Sequence, residues 1–131
     1  MVMGSLNQEV ETVVIGSGPG GYVAALRLAD LGKDVMLIEE KDRPGGTCLL
    51  EGCIPSKSLI NAVELGESAR HARQMGLTFG EMTVDHVKLR AWTDEVVSTL
   101  SNGVKGLLAK RGVEVIHARA RFEDAHTLSL D

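Results

Sequence analysis

The chain has 131 residues, one domain's worth, of which 44% are hydrophobic, 24% charged and only 3% aromatic, so it can bury a core. Its net charge is −4 and it carries no lysine- or arginine-rich block, which argues against nucleic acid as the main partner. No apolar run approaches the roughly 18 residues of a membrane span, and the short polar stretch from Met1 to Glu9 lacks a signal-peptide profile, so a cytoplasmic protein without a membrane partner is expected.

Val10 to Ile15 is β-branched and apolar, the pattern of a buried strand. It runs directly into Gly16-Ser17-Gly18-Pro19-Gly20-Gly21. Tyr22 to Leu31 follows as a helix with Ala24, Ala25, Leu28 and Leu31 as its apolar positions and Gly32 just beyond its end. Asp34 to Glu39 contains Val35-Met36-Leu37-Ile38, a second buried strand. A strand–turn–helix–strand unit of this size favours a parallel pair.

Gly16-x-Gly18-x-x-Gly21 placed between a strand and a helix is the pattern of a dinucleotide-binding turn. Gly16 permits the tight turn, Gly18 lets backbone approach a pyrophosphate, and Gly21 lets helix and strand pack closely. Pro19 and Gly20 complete the loop, and the free N–H groups of the helix start would face the phosphates. Glu39 ends the second strand, 18 positions after Gly21. A carboxylate there can accept hydrogen bonds from ribose hydroxyls and would repel a 2′-phosphate. Glu40 takes that place if the strand runs one residue further. The loop alone does not choose between FAD and NAD.

After a polar turn at Lys41, Asp42, Arg43 and Pro44 comes Gly45-Gly46-Thr47-Cys48-Leu49-Leu50-Glu51-Gly52-Cys53-Ile54-Pro55-Ser56-Lys57, which holds both cysteines of the chain. In a regular helix, Cα atoms five positions apart are about 8 Å apart, whereas a disulfide wants about 4.4–6.8 Å. Cys48 and Cys53 can bond only if the backbone between them leaves regular helix. Gly52 gives that freedom, and Pro55 lacks the N–H of a helix ladder. The expectation is a small disulfide ring at the mouth of a helix, with two buried thiols as the alternative. In a cytoplasmic protein a close cysteine pair points to redox or metal work. Without a second cysteine pair or a suitably placed histidine pair, a closed zinc site is disfavoured and no metal ligands are assigned. His71, His86, His117 and His126 are scattered and read as surface or structural.

From Pro55 to about Met75 the spacing of Leu59, Ala62, Val63, Gly66 and Ala69 is helical, and Gly76 stops it. Thr83 or Asp85 can cap a second long helix reaching Lys110, with a stripe of Val87, Ala91, Val97, Leu100, Val104, Leu107 and Leu108 before Gly112. Trp92 is expected in the core or on an interdomain face. Val113 to Ile116 is a third strand, and Arg119 to Leu130 alternates weakly, as a hairpin turning at Asp124-Ala125-His126. The fold class is therefore α/β: a partial Rossmann-like domain with parallel strands and two long helices. A full doubly wound domain wants about five or six strands, so the chain is expected to be the N-terminal piece of something larger. Residues 1–8 would form a tail and 9–131 the domain.

The run from Val14 to Ala25, followed by Gly45-Gly46-Thr47-Cys48 and Cys53-Ile54-Pro55-Ser56-Lys57, resembles the pyridine nucleotide–disulfide oxidoreductases. Pro19 to Ala25 and the Ile54-Pro55-Ser56-Lys57 ending are similar to the dihydrolipoamide dehydrogenase branch more than to the glutathione branch. That resemblance implies an FAD-binding domain with FAD at Gly16–Gly21. It implies Cys48 as the interchange thiol, Cys53 as the thiol against the flavin, Lys57 near the flavin ring, and Gly45, Gly46 and Thr47 alongside the cofactor. It also implies oxidation of dihydrolipoamide with NAD as acceptor, and lipoyl groups of a 2-oxoacid dehydrogenase complex or glycine cleavage system as partners. The family works as a homodimer with a separate NAD domain and an interface domain that supplies a histidine–glutamate base. A chain without those parts is expected to lack turnover. The alternatives are a mercuric or glutathione-type reductase of the same superfamily, or a non-catalytic nucleotide-binding fragment.

Overall fold

The computed structural model describes residues 7–131, so the first six residues of the expected tail lie outside the described residues. Strands β1 (Thr12–Ile15), β2 (Val35–Glu39) and β3 (Glu114–His117) form a parallel sheet in the order β1-β2-β3. The register pairs Val14 with Leu37 and Ile15 with Ile38 on one side, and Leu37 with Val115 on the other. β2 is the central strand and is buried at every position, which is why its sequence is an uninterrupted apolar run rather than an alternating one. β1 and β3 are edge strands among the described residues, and Ile15 and Val115 remain half exposed.

Helix α1 (Pro19–Asp30) starts three residues before the expected Tyr22. Proline's fixed φ suits the first helical position, and Gly18 stands outside it as the N-cap. Within α1, Ala25 is buried and Leu28 half-buried, but Ala24 and Leu31 are exposed. Helix α2 (Gly46–Leu50) was not expected; five residues are too few to show a periodic pattern. Helix α3 (Cys53–His71) continues through a 3₁₀ turn at Ala72–Met75 to Gly76. Helix α4 (His86–Lys110) begins at Asp85, whose carboxylate accepts from the N–H groups of Val87 at 3.1 Å and Lys88 at 3.0 Å. Strands β4 (Ala120–Phe122) and β5 (Leu128–Leu130) form the antiparallel hairpin, with Asp124 accepting from the His126 N–H at 2.7 Å in its turn.

The core joins Ala25 of α1, Val35 and Leu37 of β2, Leu49 of α2, Val97, Val104 and Leu108 of α4, and Val113. The buried stripe of α4 is Thr93, Val97, Ser101, Val104 and Leu108. Of the expected stripe, Val87, Ala91, Leu100 and Leu107 are exposed instead; Trp92 is exposed too, so of its two expected places the core is the one overturned. α3 departs further. Its buried positions are the small residues Ser58 and Gly66, while Leu59 and Val63 face outward. Gly66 is covered by the Met82 side chain, whose sulfur would lie 2.6 Å from a Cβ there, and Ser58 satisfies its own buried hydroxyl by donating to Ile54 O at 3.0 Å.

Candidate functional site

Three segments converge at the carboxyl end of the parallel strands. The turn after β1 is the first. Gly16 has φ +86° and donates its N–H to Ile38 O at 2.8 Å, so the turn is pinned to the end of β2. A Cβ on Gly21 would lie 1.8 Å from the Gly16 carbonyl oxygen, a distance no side chain can occupy. Gly18 is different: a Cβ there would meet only Gly46 Cα, at 4.0 Å. The space in front of Gly18 is open, and that is where a close-approaching phosphate belongs. Tyr22 donates to Gly18 O at 3.0 Å; the Gly20 and Gly21 N–H groups ahead of it find no partner among the described residues. The first turn of α1 therefore presents two free backbone donors and the positive end of its dipole.

The second segment is the end of β2. Glu39 is buried and Glu40 exposed. Glu39 Oε2 accepts from the Ser17 N–H at 2.8 Å and from the Ser17 hydroxyl, and Oε1 accepts from the Lys41 N–H at 2.9 Å. Burial pushes this carboxyl up, but the bonds from the Ser17 hydroxyl and the Lys41 and Ser17 N–H groups outweigh it and hold Glu39 below the usual carboxylate range. Ser17 thus occupies Oε2, while the Lys41 N–H, with the Glu40 N–H beside it, acts on the rest of the carboxylate. Glu40 lies 3.9 Å from the Arg119 guanidinium, away from the turn.

The third segment is the strap Pro44-Gly45-Gly46 leading into α2. Gly45 donates to Ser17 O at 3.0 Å and to Ser17 Oγ at 3.3 Å. Gly46 has φ +60°, and a Cβ on it would lie 2.5 Å from Gly18 Cα, so two glycines meet backbone to backbone. On the other side, the buried Ser101 hydroxyl of α4 donates to Pro44 O at 2.6 Å. The strap is held between the nucleotide-type turn and α4.

The strap delivers Cys48, half-buried in α2, against Cys53, exposed at the first position of α3. They form a disulfide with Cα atoms 4.8 Å apart. The helix breaks between them at Glu51 and Gly52, where φ is −132° and −119°. That break brings the two Cα atoms within bonding range. After the break, the Ser56 N–H and hydroxyl both return to Gly52 O, at 3.1 and 2.7 Å. Lys57 is exposed one helical turn past Cys53, and Thr47 is exposed beside Cys48. Below the strap, Lys41 pairs with Glu51 at 2.5 Å, a bond that raises the lysine's pKa. A cleft of about 350 Å³ opens there, lined by Glu40, Lys41, Asp42, Arg43 and His117 among others. His117, taken as a plain surface residue, stands 3.5 Å from Asp42 on its wall.

Gly16, Gly18, Pro19, Gly20, Gly21, Glu39 and Gly46 are thus brought together around one turn. Glu40 and Lys57 lie outside that cluster. Ser17 is the residue that sequence reasoning passed over. It occupies a variable position of the glycine pattern, yet it is fully buried and bonded to both other segments.

The family model for pyridine nucleotide-disulphide oxidoreductases matches residues 10–130. The chain belongs to this family. Among its relatives, the dihydrolipoyl dehydrogenases of Geobacillus stearothermophilus and Bacillus subtilis are 47% and 48% identical over 128 residues. Each alignment covers 98% of the chain and 27% of the relative, so the chain spans about a quarter of the length of the proteins it matches. The Cu(II) complex of the HOCl-induced flavoprotein disulfide reductase RclA from Escherichia coli superposes with a TM-score of 0.69 at 33% identity, over 90% of this chain and 24% of that one. The Rossmann-like α/β architecture is that of a flavoprotein disulfide reductase.

Proposed function

We propose that the protein to which this chain belongs oxidises dihydrolipoamide to lipoamide, with FAD as cofactor and NAD as final acceptor. The observation that carries this is the Cys48–Cys53 disulfide at a helix break, strapped backbone to backbone onto a glycine cradle. The identity of 44–48% with dihydrolipoyl dehydrogenases supports the choice of substrate.

The residues present fit FAD. The open face of Gly18 and the free N–H groups of Gly20 and Gly21, with Pro19 setting the helix start, would take the pyrophosphate, and Glu39 a ribose hydroxyl. Gly46, Thr47, Cys53 and Lys57 would lie along the flavin end. FAD, when bound, supplies a two-electron acceptor between the cysteines and NAD. The chain's own work is thiol exchange. A thiolate of dihydrolipoamide attacks the Cys48 sulfur, forming a mixed disulfide and releasing Cys53 as a thiolate. The second substrate thiolate then displaces Cys48, which closes lipoamide and leaves both cysteines reduced. Two electrons move from substrate to protein, and the two substrate thiols give up their protons. Cys53, when released, lies at the first turn of α3, where helix-start N–H groups would stabilise a thiolate, and the Lys57 charge would favour the same thiolate. Residues 9–131 would be the N-terminal part of the FAD-binding domain of a cytoplasmic homodimer that serves protein-bound lipoyl groups.

The test is a substrate-range assay on the full-length protein. Dihydrolipoamide-dependent NAD reduction is expected, and Cys48→Ser should abolish it while FAD stays bound. Turnover surviving in Cys48→Ser would refute the role of that thiol. Activity with mercuric ion or glutathione disulfide, and none with dihydrolipoamide, would move the protein to another branch of the family.

A further inference from the structure

Ser17 does more than fill a variable position in a glycine-rich turn. Its side chain is fully buried. Its hydroxyl donates to Glu39 Oε2 while the same oxygen stands 3.3 Å from the Gly45 N–H, which it can accept. Its N–H adds a second bond to Oε2 at 2.8 Å, and its carbonyl takes Gly45 N–H at 3.0 Å. A buried carboxylate held at one oxygen by two donors from one residue is fixed in rotation. With Oε2 taken up by the two Ser17 donors, Oε1 is the oxygen that faces away from Ser17; it accepts the Lys41 N–H at 2.9 Å, and the Glu40 N–H also acts on the carboxylate. We propose that Ser17 is a positioning residue that aims Glu39 Oε1 at the adenosine ribose of the bound dinucleotide and, through Gly45, sets the redox strap against the same turn. This rests on FAD binding at Gly16–Gly21.

Ser17 touches no ligand atom in this scheme, so its effect must pass through Glu39. That gives a signature which loss of packing alone would not. The affinity of the full-length apoprotein is measured for FAD and for an FAD analogue whose adenosine lacks both ribose hydroxyls, in wild type and in Ser17→Ala. Losing a hydrogen bond to a charged group loosens Glu39, so roughly a tenfold or greater loss of FAD affinity is expected in Ser17→Ala. For the analogue the same substitution should cost less than about threefold, because the ribose hydroxyls that Glu39 reads are gone. Should Ser17→Ala fail to fold, Ser17→Cys keeps a weaker donor in a similar volume, and a smaller loss confined to FAD is expected. Equal losses for FAD and the analogue would overturn the positioning role and leave Ser17 as packing. A wild-type protein that binds FAD and the analogue equally well would overturn the role of Glu39 and with it that of Ser17. A wild-type protein that binds no FAD would overturn the proposed function itself.

Discussion

Gly18→Ala separates folding from cofactor binding more sharply than any other single change in the turn. Gly18 has φ −63° and ψ 178°, an extended conformation open to alanine. The added methyl would find only Gly46 Cα, at 4.0 Å, an ordinary contact. Folding should therefore change little, and the reduced freedom of the unfolded chain could add about 0.4–1 kcal/mol of stability. The methyl would instead stand where the pyrophosphate must come close. Losing that approach should weaken FAD binding by roughly a hundredfold or more, about 2.7 kcal/mol. Gly21→Ala is the contrast: its Cβ would overlap the Gly16 carbonyl oxygen at 1.8 Å, so the β1–α1 turn itself must move and the fold should suffer. The assay pairs urea unfolding of the full-length apoprotein with FAD titration. Wild-type FAD affinity in Gly18→Ala, or a Gly18→Ala protein as unstable as Gly21→Ala, would refute the placement of the phosphates.

The other predictions concern the two segments that flank the turn. Glu39 is held below the usual carboxylate range in the folded state, so its contribution to stability is present above the unfolded-state value and lost as pH falls through the folded one. Glu39→Gln should lower the unfolding midpoint at pH 7 and flatten this acid limb; an unchanged pH profile of the unfolding midpoint would count against the Ser17–Glu39 bonds. Ser101→Ala leaves the buried Pro44 carbonyl without its donor and should cost about 1–2 kcal/mol, measured by thermal unfolding, with Arg43 still able to reach Ser98 at 3.2 Å. A loss below about 0.3 kcal/mol would mean that α4 does not anchor the strap.

Much of this arrangement is legible in the sequence. The glycine pattern, the β2 run and the paired cysteines stand in one short sequence window, and each has a local physical reason for its residue types. The geometric misfit of Cys48 and Cys53 with regular helix announced a break, and it falls at Glu51–Gly52. What stayed hidden depends on tertiary contact. α2 is held by its strap and neighbours, not by any periodicity of five residues. On α3, Gly66 is buried as its place in the spacing predicts, but the other buried position is Ser58, while Leu59 and Val63, which carry the stronger apolar signal, are exposed. Leu100 and Leu107 of α4 misled in the same way, since Thr93 and Ser101 occupy buried places that polarity alone would have assigned to solvent. Ser17 gives no signal in sequence, because its importance lies in two partners 22 and 28 positions away.

The disulfide at the end of the strap is the centre of the account, and its chemistry can be read at the two sulfurs. Full-length protein is mixed anaerobically with one equivalent of dihydrolipoamide, alkylated at once, and mapped by mass spectrometry. Label is expected at both Cys48 and Cys53, absent from the untreated protein, with NAD addition before alkylation restoring the unlabelled pair. A Cys48–Cys53 bond that stays closed while dihydrolipoamide is oxidised would contradict it.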